Sequence, residues 1–145
     1  MIFLPLILLG LSWLQEGIDQ LLIGGRGNLA MGPGTPWWTL LTAPFSHGDM
    51  GHLIANSIVF LPLSYLVLLK GLRGYVAVWI AVILLEIPVW LFWPVGSHGL
   101  SGVVYGLLGY LLLIRFLERR LLAIALSVIA VAFYGSALPL SLIHI

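Results

Sequence analysis

The sequence predicts an all-α, polytopic membrane protein. Three observations predict it. The 145 residues are 61% hydrophobic and only 8% charged, with a mean hydropathy of +1.15, whereas a soluble domain carries roughly 25% charged residues. The apolar residues fall in runs close to the ~20 residues that cross a bilayer as a helix. The basic residues collect in two of the short connections between those runs. A chain this small cannot hide so much apolar surface in one core, so lipid is its natural solvent.

Five spans are expected, taken here in chain order. The first covers residues 2–23. Residues 1–13 lack a basic leader and a clear A-x-A site, so this is a retained helix and not a cleaved signal peptide. Gln15, Glu16 and Asp19 either face the protein interior or mark an early end. The second span is 50–69, the third 75–93, the fourth 99–117 and the fifth 121–138. The one long connection, residues 24–49, holds Gly24, Gly25, Gly27, Gly32, Pro33, Gly34 and Pro36. These forbid a long regular helix there. Trp37 and Trp38 suit the membrane–water interface, and a structured, partly embedded loop is expected.

Charge sets the expected topology. Lys70 and Arg73 lie between spans two and three; Arg115, Arg119 and Arg120 lie between four and five; Arg26 alone lies on the other side. The positive-inside rule makes the first two connections cytoplasmic, with the amino terminus. The 24–49 loop and the start of span four then face outward. The net charge of +1 gives no footing for nucleic acid, and the absence of cysteine excludes disulfides and thiolate metal sites.

Polar groups inside a membrane are costly, and a functional site is the default reading of them. His52 and Asn56 are four residues apart and share one face of span two near its outer end. They could be interhelical hydrogen-bonding glue, or His52 could join His47 and Asp49 in a metal site. Ser101 lies at the start of span four between Gly99 and Gly102. Small neighbours let a substrate backbone approach, and the helix amides can stabilise an oxyanion. Gly102, Gly106 and Gly109 equally form a small-residue stripe for helix packing. Glu86, with Pro88, sits in span three as a proton relay or a kink and receives no role. His98 is expected at the outer surface. It is a poor base for Ser101, because positions so close in sequence do not face each other on a helix.

Together these groups are more specific than either alone. They lie at the outer ends of spans two and four and can meet. Trp38-Thr39-Leu40-Leu41-Thr42-Ala43-Pro44-Phe45-Ser46-His47 resembles the segment leading into the second helix of the rhomboid intramembrane serine proteases. His52-x-x-x-Asn56 is similar to that family's oxyanion motif, and Gly99-x-Ser101-Gly102-x-x-Tyr105-Gly106-x-x-Gly109 to its nucleophile helix. The resemblance covers residues 36–109. Thr39 departs from the arginine that often follows the loop tryptophan. The resemblance implies a cofactor-free Ser-His dyad protease of transmembrane substrates. Ser101 would be the nucleophile, His52 and Asn56 with the Ser101 amide the oxyanion hole, and Tyr105 the residue packed on the catalytic imidazole.

The family's base is a histidine on a sixth helix, usually after a glycine. The only later histidine here is His144, which has neither a preceding glycine nor a helix's length of chain around it. Residues 140–145, Leu-Ser-Leu-Ile-His-Ile, read as a translated transposon-type sequencing adapter. Residues 1–139 are therefore expected to be a rhomboid-like domain with five of six core helices, and 140–145 a non-native tail. The 145-residue chain is expected to be inactive. A non-catalytic client-binding relative and a small transporter are the competing classes. The first has no use for the complete Ser101, His52 and Asn56 set, and no inverted repeat supports the second. A prokaryotic plasma membrane fits the basic connections.

Overall fold

The computed structural model describes residues 2–27, 29–118, 126–129 and 131. Helix α1 (Leu4–Ile18) opens with Pro5 in its first turn, where the missing amide hydrogen is not needed. It passes into a π-helical turn, Asp19–Ile23, which stops at Gly24 with φ 67. Ser12, Glu16 and Asp19 are buried at spacings of four and three, while Leu11, Leu14 and Ile18 on the other side are exposed. Of the two alternatives for the polar residues of the first span, the structure shows the first: Glu16 and Asp19 face inward, and the span continues through the π turn to Ile23.

The loop carries a short helix α2 (Thr39–Thr42) and a 3-10 turn, Ala43–Phe45. Helix α3 (Met50–Lys70) begins at Asp49, whose carboxylate accepts the His52 amide at 2.8 Å, a side-chain N-cap. Gly71, with φ 129, alone separates α3 from α4 (Leu72–Phe92), so these two helices run antiparallel. Helix α5 (Ser101–Glu118) packs against both and runs parallel to α3.

Among the described residues, three helices are long and apolar enough to cross a membrane, namely Leu4–Ile23, Met50–Lys70 and Leu72–Phe92, and Ser101–Leu117 is a shorter apolar helix. The core is built from Leu53, Phe60, Leu63 and Val67 of α3, Tyr75, Val78 and Val82 of α4, and Val103, Val104 and Leu107 of α5. Ile58, Ile80, Leu84, Leu85, Leu113 and Phe116 stand exposed around it. Apolar side chains outside as well as inside are the pattern of a helix bundle solvated by lipid. The protein is an all-α integral membrane protein.

The second span matches its expected position. The third starts at Leu72 and not at residue 75, because a single glycine suffices to turn the chain. The fourth starts at Ser101 and not at residue 99, because Gly99 holds φ 98, which no α-helical residue adopts. The fifth expected span, 121–138, lies almost wholly outside the described residues, as do 140–145.

The small-residue stripe needs correcting at one position. A Cβ on Gly106 would lie 2.5 Å from Val82 Cγ2 and 3.1 Å from Val78 Cγ1, and one on Gly102 2.5 Å from Glu86 Oε1. A Cβ on Gly109 would meet nothing within 4 Å. The third contact belongs instead to Tyr110, whose hydroxyl sits against Gly74. The interface thus follows the rows 102/106/110 and 74/78/82/86, each with a spacing of four, the i±4 ridge of helix packing. Val78 and Val82 are buried and branched, so they cannot swing aside. Gly106→Ala is expected to destabilise the bundle by about 1–3 kcal/mol, whereas Gly109→Ala gains helix propensity and is expected to be neutral or stabilising. Unfolding midpoints of the two variants in the same detergent check the contrast.

Candidate active site

The approach to Ser101 is held by the long loop. Met31 and Ser97 exchange backbone hydrogen bonds, with Met31 N donating to Ser97 O at 2.9 Å and Ser97 N to Met31 O at 2.8 Å. Gly96 lies so close that a Cβ there would sit 2.9 Å from Met31 O. Two residues on, the Gly99 amide donates to Ala43 O at 2.8 Å. The Leu100 amide donates to His47 Nε2 at 3.4 Å. The turn before Ser101 is therefore fixed from the 3-10 turn and from the histidine that follows it.

Gly99 is required for two reasons. Its φ of 98 is costly for any residue with a side chain. A Cβ there would also lie 3.3 Å from His52 Cε1 and 3.6 Å from His47 Cδ2. This close approach puts the chain just before Ser101 against the His52 ring. His52 is half-buried in the first turn of α3, and Asn56, one turn deeper, is fully buried. Ser101 is half-buried as the first residue of α5. Since α3 and α5 are parallel, His52, Asn56 and Ser101 occupy the same end of the bundle. Tyr105, one turn after Ser101, leaves 36% of its surface exposed.

His98 lies at this same end of the bundle, half-buried, with its ring 6.3 Å from that of His52, and its Nε2 would be 3.1 Å from a Cβ on Gly48. The docking of loop on loop carries it there, a long-range effect that local spacing does not encode. His47 lies edge-on to His52 with ring centroids 5.3 Å apart, so three histidines gather beside Gly99. Among the described residues, no three or more His, Cys, Asp or Glu side chains are arranged to hold a metal ion. Asp49, the carboxylate of the metal reading, is instead engaged as the α3 cap. Glu86 packs against Gly102, directly after Ser101. A cavity of about 510 Å³ lies on the far side of the loop, lined by Leu11, Leu14, Ile18, Leu29 and Phe45 with Gln15 and Asp19.

Burial, reinforced by the neighbouring His52, pushes the pKa of His47 from 6.5 down to about 4. Burial and His52 also lower that of His98. A neutral His47 can accept the Leu100 amide at Nε2; a protonated one cannot. The unfolded chain takes up protons near pH 6.5 and the folded chain only near pH 4. Stability is therefore full above pH 6.5 and falls as the pH drops from 6.5 towards about 4. His47→Gln, which keeps an acceptor but not the titration, is expected to flatten that slope. Unfolding midpoints of both chains across the window test it.

The sequence agrees with this geometry. A model of the Rhomboid domain matches residues 34–143. An uncharacterized protein of Mycobacterium tuberculosis (strain ATCC 25618 / H37Rv) is 34% identical over 109 residues, covering 70% of this chain and 45% of that protein. An uncharacterized Mycobacterium bovis protein matches to the same extent. One from Mycobacterium leprae is 30% identical over 132 residues, covering 79% of this chain and 50% of its own. The chain spans about half the length of the curated relatives it matches. No solved structure matches it. With the domain match extending over most of the sequence and the polar residues gathered at one end of the bundle, the chain belongs to the rhomboid family.

Proposed function

We propose that this chain carries the nucleophile and oxyanion half of an intramembrane serine endopeptidase acting on transmembrane proteins. The observation that supports the reading most is the meeting of the two helix starts. Gly99, at a φ of 98 that suits glycine alone, lies against the His52 ring, with Asn56 buried one turn below and Ser101 opening α5.

In the proposed reaction the Ser101 Oγ attacks the scissile carbonyl carbon. Its proton passes to a histidine base, and the carbonyl oxygen becomes an oxyanion. The Ser101 amide at the helix start and the His52 and Asn56 side chains supply donors to that oxygen. Collapse of the tetrahedral intermediate breaks the peptide bond, and the base returns the proton to the leaving amine. Water then attacks the acyl-enzyme by the same route, releasing the acid and restoring Ser101. No cofactor enters. The Tyr105 ring is the surface proposed to receive the base imidazole. His144 lies outside the described residues and is not assigned as that base; a histidine in sequence beyond residue 139 of the native protein is. Residues 140–145 are proposed to be a non-native tail. The proposed orientation puts the Ser101 end on the outer face of a prokaryotic plasma membrane, a reading supported by the basic residues of the other connections.

The 145-residue chain is accordingly expected to show no turnover, while the protein extended by its native downstream sequence cleaves a transmembrane substrate. Reconstituting both with one tagged single-span substrate decides this. Ser101-dependent cleavage by the short chain would overturn the missing-base account. Absence of cleavage by the folded, extended protein would favour a client-binding relative.

A further inference from the structure

We propose that the end of the bundle opposite Ser101 holds a phosphate-binding site centred on Arg115. Arg115 is only 2% exposed, and its Nε and both terminal nitrogens are buried with no hydrogen-bond partner among the described residues. It continues the buried row Val104, Leu108, Leu111, Arg115, whose spacings of four, three and four are those of one helix face. A guanidinium is always charged, and leaving one buried without an acceptor is strongly destabilising.

Four of the chain's own acids are engaged elsewhere. Of the five, Asp19 accepts the Gly27 amide, Glu16 accepts from Gln20, Asp49 caps α3 and Glu86 packs on Gly102. All four belong to the Ser101 end. Glu118 is the one acid near Arg115 in sequence, and its removal is one arm of the test below.

Position indicates what the acceptor is. The Tyr110 hydroxyl meets Gly74, which fixes the depth of α5 against α4. Arg115 lies five residues further along, about 7.5 Å at a helical rise, and so beside the α3–α4 connection. That connection carries exposed Lys70 and Arg73. A planar guanidinium at the bundle end that also carries the basic α3–α4 connection is suited to a phosphate group, which Arg binds through two parallel donors. In a membrane the group comes from an anionic phospholipid head or from free phosphate.

Thermal unfolding of the full chain in a neutral detergent tests the site. Phosphatidylglycerol is expected to raise the midpoint by about 5 °C, and phosphatidylcholine of the same acyl chains to leave it unchanged. Inorganic phosphate acting as well as the lipid would assign the source to the free ion. Arg115→Met removes the charge as well as the donors, so it is expected to fold and to lose the shift. Arg115→Lys, which keeps a point charge but not the fork, is expected to bind at least tenfold more weakly. Glu118→Gln is expected to keep the shift. An equal shift in wild type and Arg115→Met, equal effects of the two lipids, or loss of the shift in Glu118→Gln alone would overturn the proposal.

Discussion

Replacing Ser101 with alanine in the extended protein is expected to lower kcat by roughly a million-fold, the scale seen when a hydrolase loses its nucleophile. The reason is chemical: without Oγ there is no acyl-enzyme, and what remains is the binding and polarisation offered by the oxyanion donors. Ser101 is half-buried at the first position of α5, and removing one oxygen there leaves Gly99, His47 and the Ala43 contact in place. Substrate binding and the unfolding midpoint are therefore expected to stay close to wild type. A variant that also lost its fold would say nothing about the nucleophile, so the midpoint is measured beside the rate.

The second large effect is expected at Asn56. Asn56→Ala is expected to reduce kcat about 10²–10³-fold, equivalent to about 2.7–4 kcal/mol, with KM little changed. A donor aimed at the oxyanion acts only when charge has moved onto the carbonyl oxygen, so its loss is felt in the transition state and not in the bound substrate. If Asn56 served only as hydrogen-bonding glue between helices, the same change would lower the unfolding midpoint and leave kcat untouched. Steady-state kinetics and unfolding of one preparation separate the two roles.

Much of the fold was legible because span length and apolar composition are local. Met50–Lys70 and Leu72–Phe92 were visible as runs, with errors confined to ends where one glycine sets the boundary. His52, Asn56 and Ser101 stood out as candidates because their spacing, taken together, resembles the rhomboid motifs; either group alone was a weak signal. The support around them was not legible. The His47–Leu100 bond joins residues 53 apart, and Gly99's conformation follows from the loop docking on Ala43 and Met31. The neighbours of His98 were not legible for the same reason: they come from Gly48 and His52, not from its own segment. The stripe failed at Gly109 because spacings of three and four look alike in sequence, whereas the packed ridge uses only the fours and hands the contact to Tyr110.

The central claim is that Ser101 is a nucleophile activated within the bundle. Labelling the extended protein with a fluorophosphonate probe and mapping the adduct by peptide mass spectrometry tests it most directly. The account predicts one adduct, on Ser101, absent from Ser101→Ala and from the 145-residue chain. A folded, extended protein that takes up no probe, or one whose labelling survives Ser101→Ala, would contradict it.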